Sequence, residues 1–164
     1  MAYLLDSNVF IEAKNAYYGF DFVPAFWEWL DVEHANGNVF SIDNVRDELL
    51  EGQDELSDWA KARGREFFLP LDEAVLASLS MIATWARSGD YEEIAVNAFL
   101  KDTDYYLVAH AHAHGFDVVT LEIPSASTRK IKIPDACNAH KVNWINTFKL
   151  LPAIKARFVL DAAS

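Results

Sequence analysis

Short apolar segments alternate with longer helix-like segments along the chain, and this alternation most constrains the fold. The clearest strand is "FDVVTL" (Phe116–Leu121), which follows Gly115 and contains β-branched residues. "YLL" (Tyr3–Leu5) and "NVFSI" (Asn38–Ile42) are predicted to be further buried strands. Strands separated by helices favour a layered α/β fold with a mostly parallel sheet, because parallel neighbours need long crossover connections.

The helix-like segments carry recognisable end signals. Asp72 and Asp43 each precede a helical pattern and are predicted to cap it. Gly115 is predicted to end a helix over Thr103–His114. Near the C-terminus, "NWINTFKLL" is predicted to be helical and "ARFVL" to be a last edge strand.

Length and composition describe a folded chain. The 164 residues, 52% of them hydrophobic, predict a single domain over residues 1–164 and exclude a disordered chain. No apolar run approaches the roughly 20 residues that a membrane span needs, and the N-terminus lacks signal-peptide features. The single cysteine, Cys137, cannot form an internal disulfide. We therefore expect a cytoplasmic protein without membrane contact.

The formal net charge of −11 limits the partners of the chain. It argues against a sequence-independent nucleic-acid binder, whose affinity depends on a basic surface. It does not argue against a nuclease, because clustered carboxylates can be metal ligands. The placement of the acids is therefore the deciding question.

Several acids are predicted to converge on one edge of the sheet. Asp6 directly follows the first strand, and Glu122 directly follows "DVVTL". Asp102 and Asp104 lie at the start of the Thr103–His114 helix, and Glu48 lies near the end of the helix after "NVFSI". The carboxyl ends of parallel strands are where such sheets bind ligands.

Converging carboxylates repel one another, and a cation or a proton must relieve that repulsion. Mg²⁺ and Mn²⁺ are hard ions that take oxygen ligands, so the pattern suggests metal-assisted phosphodiester hydrolysis. Simpler explanations stay open: Asp102 can be only a helix cap, and Glu48 can be a solvated partner of Arg46. Asp6 is the hardest to explain otherwise, because an unpaired acid beside a buried strand is costly.

Four stretches together resemble the PIN domain family, which includes the VapC-type ribonuclease toxins. They are "LLDSNVFI", "NVRDELL", "DYYLVAHAHAHG" and "VVTLE", in the order and rough spacing of that family. The similarity spans about residues 3 to 122, and "LEIPSASTRKIKIPDAC" is closer to a poorly characterised branch. The resemblance implies a PIN-like three-layer α/β/α sandwich with a short, mostly parallel central sheet.

The resemblance also implies a catalytic metal site for Mg²⁺ or Mn²⁺. Its acids would be Asp6, Glu48, Asp104 and Glu122, and Asn8 and Thr120 would orient ligands or substrate. Asp6 and Asp104 would be the principal ligands, and Glu48 would bind directly or through water. Glu122 stands where the family more often has Asp, so its longer side chain favours a water-mediated role. Asp135 is a further acid that the sequence does not place.

The only dense basic run, "STRKIK" within Ser125–Lys132, lies beside the expected acidic edge. Its Arg129 and Lys130 are candidates for holding the backbone of RNA. A solvated loop explains the same run equally well.

Three histidines alternate in "AHAHAHG": His110, His112 and His114. On a helix, His110 and His114 share a face while His112 points elsewhere, which favours a helix surface over a metal tract.

The segment "YYGFDFVPAFWEW" is unusually aromatic. Core packing is the first explanation for these rings. An interface with a second subunit or an antitoxin is the next, and base stacking on single-stranded RNA is the third.

Three functions remain, in order of preference. The first is a metal-dependent endoribonuclease of PIN type that acts as the toxin of a type II toxin–antitoxin pair, with an RNA substrate, an antitoxin partner and a homodimeric state. The second is a non-catalytic PIN-fold module that binds proteins. A phosphatase of the haloacid dehalogenase class ranks last, because Asn8 stands where such an enzyme needs a second Asp.

Overall fold

A five-stranded sheet forms the centre of the structure, a computed structural model that describes residues 1–162. The strand order is β3-β2-β1-β4-β5, and every neighbouring pair is parallel. The strands are β1 (Tyr3–Leu5), β2 (Val39–Ile42), β3 (Phe68–Leu69), β4 (Asp117–Val119) and β5 (Trp144–Ile145).

Helices connect the strands and cover the sheet. They are α1 (Ser7–Glu12), α2 (Pro24–Ala35), α3 (Asp43–Glu51), α4 (Glu55–Lys61), α5 (Glu73–Ser88), α6 (Glu93–Phe99), α7 (Thr103–His114), α8 (Ile133–Ala139) and α9 (Thr147–Ala153). A π-helical turn, Ala13–Tyr17, continues α1. In the described part of the chain, no helix combines the length and the apolar character that a membrane crossing requires.

Both faces of the sheet are buried. Successive side chains of a strand point to opposite faces, and Leu4 and Leu5 of β1 are both fully buried. The same is true of Val118 and Val119 of β4. A parallel sheet with helices over both faces explains this pattern. The predicted PIN-like three-layer α/β/α sandwich is therefore confirmed, and the sheet is parallel throughout.

The helix-end predictions are confirmed at two positions and wrong at one. The Asp72 carboxylate accepts a hydrogen bond from Val75 N at 2.9 Å, and Gly115 adopts the left-handed conformation (φ 72°) that ends α7. Asp43 does not cap α3 but is its first residue. The extended backbone of β2 runs up to Ile42, which takes the capping position without a side-chain bond.

The C-terminal predictions are wrong in two places. Trp144–Ile145 forms β5, which pairs with β4, and helix α9 begins only after the Asn146 cap. A two-residue strand is too short to show a period in the sequence. The "ARFVL" segment is not a strand. Its Phe158 ring instead packs against Tyr18 and Phe26, at 6.2 and 6.3 Å between ring centres.

The histidine tract is only partly on the helix surface. His112 and His114 are exposed, with hydrogen bonds to Ser78 Oγ at 2.9 Å and Asp72 Oδ2 at 2.8 Å. His110, in contrast, is 1% exposed, and neither of its ring nitrogens has a hydrogen-bond partner within residues 1–162. Burial lowers the pKa of His110 to about 4.

The aromatic segment is mainly core. Tyr18 stacks on Phe26 at 4.5 Å between ring centres, and Phe20 stacks on Trp27 at 4.0 Å. Phe26 and Trp27 are buried. The exposed exceptions are Tyr17 and Phe22, so the core-packing interpretation holds for most of the segment but not for all of it.

The unsatisfied ring of His110 predicts a stabilising substitution. We expect His110→Leu to raise the free energy of unfolding by about 1–3 kcal/mol at neutral pH, since it removes a buried polar group without partners. The gain should grow as the pH falls from 6.5 towards 4. In that range the unfolded wild type binds a proton at His110 that the folded state excludes.

Urea unfolding at several pH values measures this difference. His112→Leu is the matched control on the same helix, because it removes an exposed ring with a partner and should not stabilise. A His110→Leu protein no more stable than the wild type at pH 5 would contradict the assignment.

Candidate functional site

Asp6 is fixed at the carboxyl edge of the two central strands. Its backbone N–H donates to Val119 O at 3.0 Å, which continues the β1–β4 ladder one step past β1. Thr120 directly follows β4, and its Oγ1 donates to Asp6 Oδ2 at 3.2 Å. Asp6 is 2% exposed and Thr120 is fully buried. A carboxyl group is therefore held inside the protein by hydrogen bonds from two neutral groups, the Thr120 hydroxyl and the Ser7 backbone.

Glu122 and Glu48 are held by groups from other elements. Glu122 N donates to Thr120 Oγ1 at 3.1 Å, and Glu122 Oε2 accepts from Ile133 N, the first residue of α8, at 2.9 Å. Glu48 on α3 accepts a hydrogen bond from Ser7 Oγ on α1. The two glutamates therefore reach the sheet edge from well-separated parts of the chain.

Asp102 and Asp104 have different roles at the start of α7. The exposed Asp102 is the N-cap, and its carboxylate accepts from Asp104 N at 3.3 Å. Asp104 lies in the first turn and is half-buried. The structure therefore assigns Asp102 to capping and leaves Asp104 to interact with the other acids.

The four acids interact electrostatically. Burial is the largest cause that raises the pKa of Asp6 to about 7, and the charges of Glu122 and Glu48 add to it. Burial likewise leads in raising the pKa of Asp104 to about 8, followed by the charges of Asp6, Asp102, Glu122 and Glu48. At neutral pH, Asp104 thus stays largely protonated and Asp6 about half protonated unless a positive charge joins them.

The donor set suits a hard divalent cation. All the converging groups offer oxygen, and Mg²⁺ is commonly held by one or two carboxylates together with several waters. Within residues 1–162, no three His, Cys, Asp or Glu side chains are arranged to hold a metal ion directly. Each glutamate already accepts a hydrogen bond, Glu48 from Ser7 and Glu122 from the backbone of Ile133.

Cavities adjoin the acids, and two of them lie beside Glu122 and Asp104. A cleft of about 630 Å³ is lined by Asn8, Tyr17, Glu122, Lys132, Asn146 and Phe148, among others. A smaller cavity of about 60 Å³ brings Arg129 and Lys130 together with Asp102 and Asp104. The loop from Glu122 to Lys132 therefore carries cations to both cavities. Arg129 also lies 3.8 Å from the Glu92 carboxylate, with both side chains exposed.

Asp135 shapes this loop and is not placed among the converging acids. Its carboxylate accepts hydrogen bonds from Ser125 N at 3.1 Å and from Lys132 N at 3.3 Å. These bonds tie the two ends of the basic run to the first turn of α8. The acid that the sequence could not place is thus a loop anchor.

Sequence reasoning did not single out several residues of the site: Ser7, Lys132, Asn146 and Phe148. Lys132 belongs to the basic run, and the density of basic residues in that run was a signal that could have identified it. Ser7 follows Asp6 directly, but nothing in the sequence pairs it with Glu48. Asn146 and Phe148 enter the cleft because β5 ends beside β4, which no local pattern indicated.

Fold and site together define a class: an α/β/α sandwich with an acidic cluster at the carboxyl edge of a parallel sheet. The family described as a domain of unknown function, DUF4411, matches residues 3–158, and the chain belongs to this family. A comparison with curated proteins gives no match.

Among solved structures, one chain in the crystal structure of VapBC2 from Rickettsia felis, bound to a DNA fragment from their promoter, is similar. The sequence identity is 16% and the TM-score 0.48, with 89% of this chain and 98% of that chain covered. Similarity at this level says nothing about what the present chain does.

The raised pKa of Asp104 predicts that the free energy of unfolding of the metal-free protein depends on pH. Between about pH 4 and pH 8 the folded state keeps a proton on Asp104 that the unfolded state has lost, so stability falls as the pH rises. Asp104→Asn should remove this loss. In EDTA above about pH 8 we expect the variant to be more stable by roughly 2 kcal/mol, since a tenfold change in proton affinity is worth about 1.4 kcal/mol and partial exposure reduces the effect.

Chemical unfolding across this pH range measures the difference, which should vanish near pH 4. Asp90→Asn, at an exposed acid before α6, is the control and should follow the wild type. Parallel pH curves for Asp104→Asn and the wild type would contradict the assigned electrostatics.

Proposed function

We propose that the chain is a Mg²⁺- or Mn²⁺-dependent endoribonuclease of PIN type that hydrolyses RNA phosphodiester bonds. The observation that carries this proposal is the convergence of acids from four segments on one sheet edge, with the pKa of Asp6 raised to about 7 and that of Asp104 to about 8. Such mutual repulsion among carboxylates destabilises the protein. A cation-binding site explains why the acids are nevertheless brought together.

In this proposal Asp6 and Asp104 would hold the cation, and Glu48 and Glu122 would act on it through water. A bound Mg²⁺ or Mn²⁺ would lower the pKa of an attacking water and stabilise the charge on the phosphate. Thr120 keeps the Asp6 carboxyl group oriented through its 3.2 Å hydrogen bond. Asn8, exposed in the cleft beside Glu122, is placed to orient substrate.

The basic loop supports RNA as the substrate of an acidic protein. Arg129 and Lys130 share a cavity with Asp104, and Lys132 lines the cleft with Glu122. Cations in the two cavities beside these acids can hold the phosphates that flank a scissile bond. This local charge offsets the net charge of −11 where the backbone of RNA would lie.

The toxin role, an antitoxin partner and a homodimer rest on the sequence resemblance to VapC-type toxins. The alternative, a non-catalytic module that binds proteins through the aromatic segment, has less support. Phe26 and Trp27 are buried, and most of the other rings pack against the core. Little of the segment is left to meet a partner.

Removing either principal carboxylate should abolish cleavage. We expect Asp6→Asn and Asp104→Asn each to lower the rate of Mn²⁺-dependent RNA hydrolysis by about 100- to 1000-fold or more, because preorganised charge stabilisation is worth this much. Hydrolysis of labelled RNA is compared with and without EDTA, and circular dichroism checks folding.

Asp102→Asn is the matched control for this assay. Asn caps helices about as well as Asp, so the variant keeps α7 and should retain most of the activity. Full activity in Asp6→Asn or Asp104→Asn would refute the site. Wild-type protein that cleaves no RNA with either metal would instead favour the binding-module alternative.

A further inference from the structure

Two half-exposed aromatic rings stand at the cleft beside Glu122. Tyr17 is 49% exposed and Phe148 is 47% exposed, and both line the cleft. Their ring centres are 5.0 Å apart at an interplanar angle of 86°. In such an edge-to-face pair, the ring that contributes its edge keeps both of its own faces clear of the other ring. The pair therefore presents about half of its aromatic surface to solvent at the site.

The backbone around Tyr17 is specialised. Tyr17 ends the π-helical turn that continues α1, a rare conformation that is frequent at functional sites. Behind it, the ring of Tyr18 lies 6.3 Å away and stacks on the buried Phe26. Phe148 comes from the first turn of α9, far away in sequence. Two distant segments thus bring aromatic rings together at an exposed position on a packed base.

The rest of the cleft offers polar groups suited to the edge of a base and to a phosphate. Asn8 is exposed, and Asn146 uses its side-chain oxygen to cap α9, which leaves its amide group to act as a donor. Lys132 is the cation among the cleft residues, which also include the carboxylates of Glu12 and Glu122. A flat ring, hydrogen-bond donors and one positive charge match a nucleotide better than they match an extended peptide.

The charge balance of the chain also favours stacking. Acids outnumber Lys and Arg by 25 to 14, so the protein as a whole repels RNA. Stacking between bases and aromatic rings needs no net positive charge, because every base has an apolar π-face. An acidic RNA-binding protein therefore gains most from such contacts.

We propose that Tyr17 and Phe148 form a subsite that binds an unpaired nucleobase of single-stranded RNA next to the acidic site. This subsite would add substrate selection to the proposed ribonuclease function. The choice of RNA as its ligand rests on that proposed function. Asn8 and Asn146 face the edge of the base, and Lys132 holds the adjoining phosphate. These residues determine which single-stranded segment reaches Glu122, and they are specificity residues rather than catalytic ones.

Fluorescence anisotropy with a short, labelled single-stranded RNA in EDTA tests the subsite apart from hydrolysis. Tyr17→Leu and Phe148→Leu should each weaken binding roughly 5- to 100-fold, the range that stacking of one base accounts for. Tyr17→Phe keeps the ring and should bind like the wild type. Phe22→Leu is the matched control, because Phe22 is 65% exposed in the same segment but does not line the cleft.

An abasic nucleotide identifies the occupant. The abasic nucleotide is placed at each position of the RNA in turn. At one position it should weaken binding to the wild type as much as Tyr17→Leu does. At that position it should not weaken binding to the Tyr17→Leu protein any further. The logarithm of the affinity should fall with the logarithm of the salt concentration with a slope no steeper than roughly −2, as three basic residues allow on single strands. Equal binding of single-stranded DNA would assign the subsite to nucleobases generally and overturn the choice of RNA.

The subsite and the nuclease can fail separately. Wild-type affinity in both Leu variants, indifference to every abasic position, or no measurable RNA binding would overturn the subsite even if the protein cleaves RNA. Conversely, binding that depends on Tyr17 without any metal-dependent cleavage would keep the subsite and remove the proposed hydrolysis.

Discussion

The ladder between β1 and β4 is the contact on which the site depends. The bond from Asp6 N to Val119 O extends the pairing beyond β1 and fixes Asp6 opposite Thr120. Because the sheet is buried on both faces, the end of β1 is a place where only a partnered acid is tolerable. Hydrogen bonds from Thr120 and from the Ser7 backbone compensate only in part for burying Asp6, because its pKa is still raised to about 7. Under the proposed function, a bound cation would supply the compensation that is missing.

Burial and repulsion at this edge oppose the stability that the core supplies. Because the pKa values of Asp6 and Asp104 are raised, the free energy of unfolding of the metal-free protein falls as the pH rises. Hydrogen bonds oppose this destabilisation, because Ser7 donates to Glu48 and the α8 backbone donates to Glu122. Stability is commonly lowered at functional sites in this way, and the rest of the fold compensates.

Local sequence patterns predicted what local physics determines. The strand of Val118 and Val119, the Asp72 cap and the Gly115 helix end follow from residue type and spacing, and all three are observed. The convergence of acids could be anticipated because strand ends in a parallel sheet share an edge. The partners of these acids and the cleft could not, since they depend on long-range pairing of β5 and on loop paths. Likewise, nothing local indicated that His110 is buried while its neighbours His112 and His114 are exposed.

Proton release on cation binding tests the central claim most directly. Titration calorimetry with Mn²⁺, repeated at about pH 7.5 in buffers of different ionisation enthalpy, counts the protons that leave the protein. The pKa values of about 7 and 8 predict release of about one proton per chain as Asp6 and Asp104 ionise together. The release should largely disappear in Asp104→Asn. Mn²⁺ that does not bind, or binds without releasing protons, would contradict the account of two protonated carboxyl groups that a divalent cation joins.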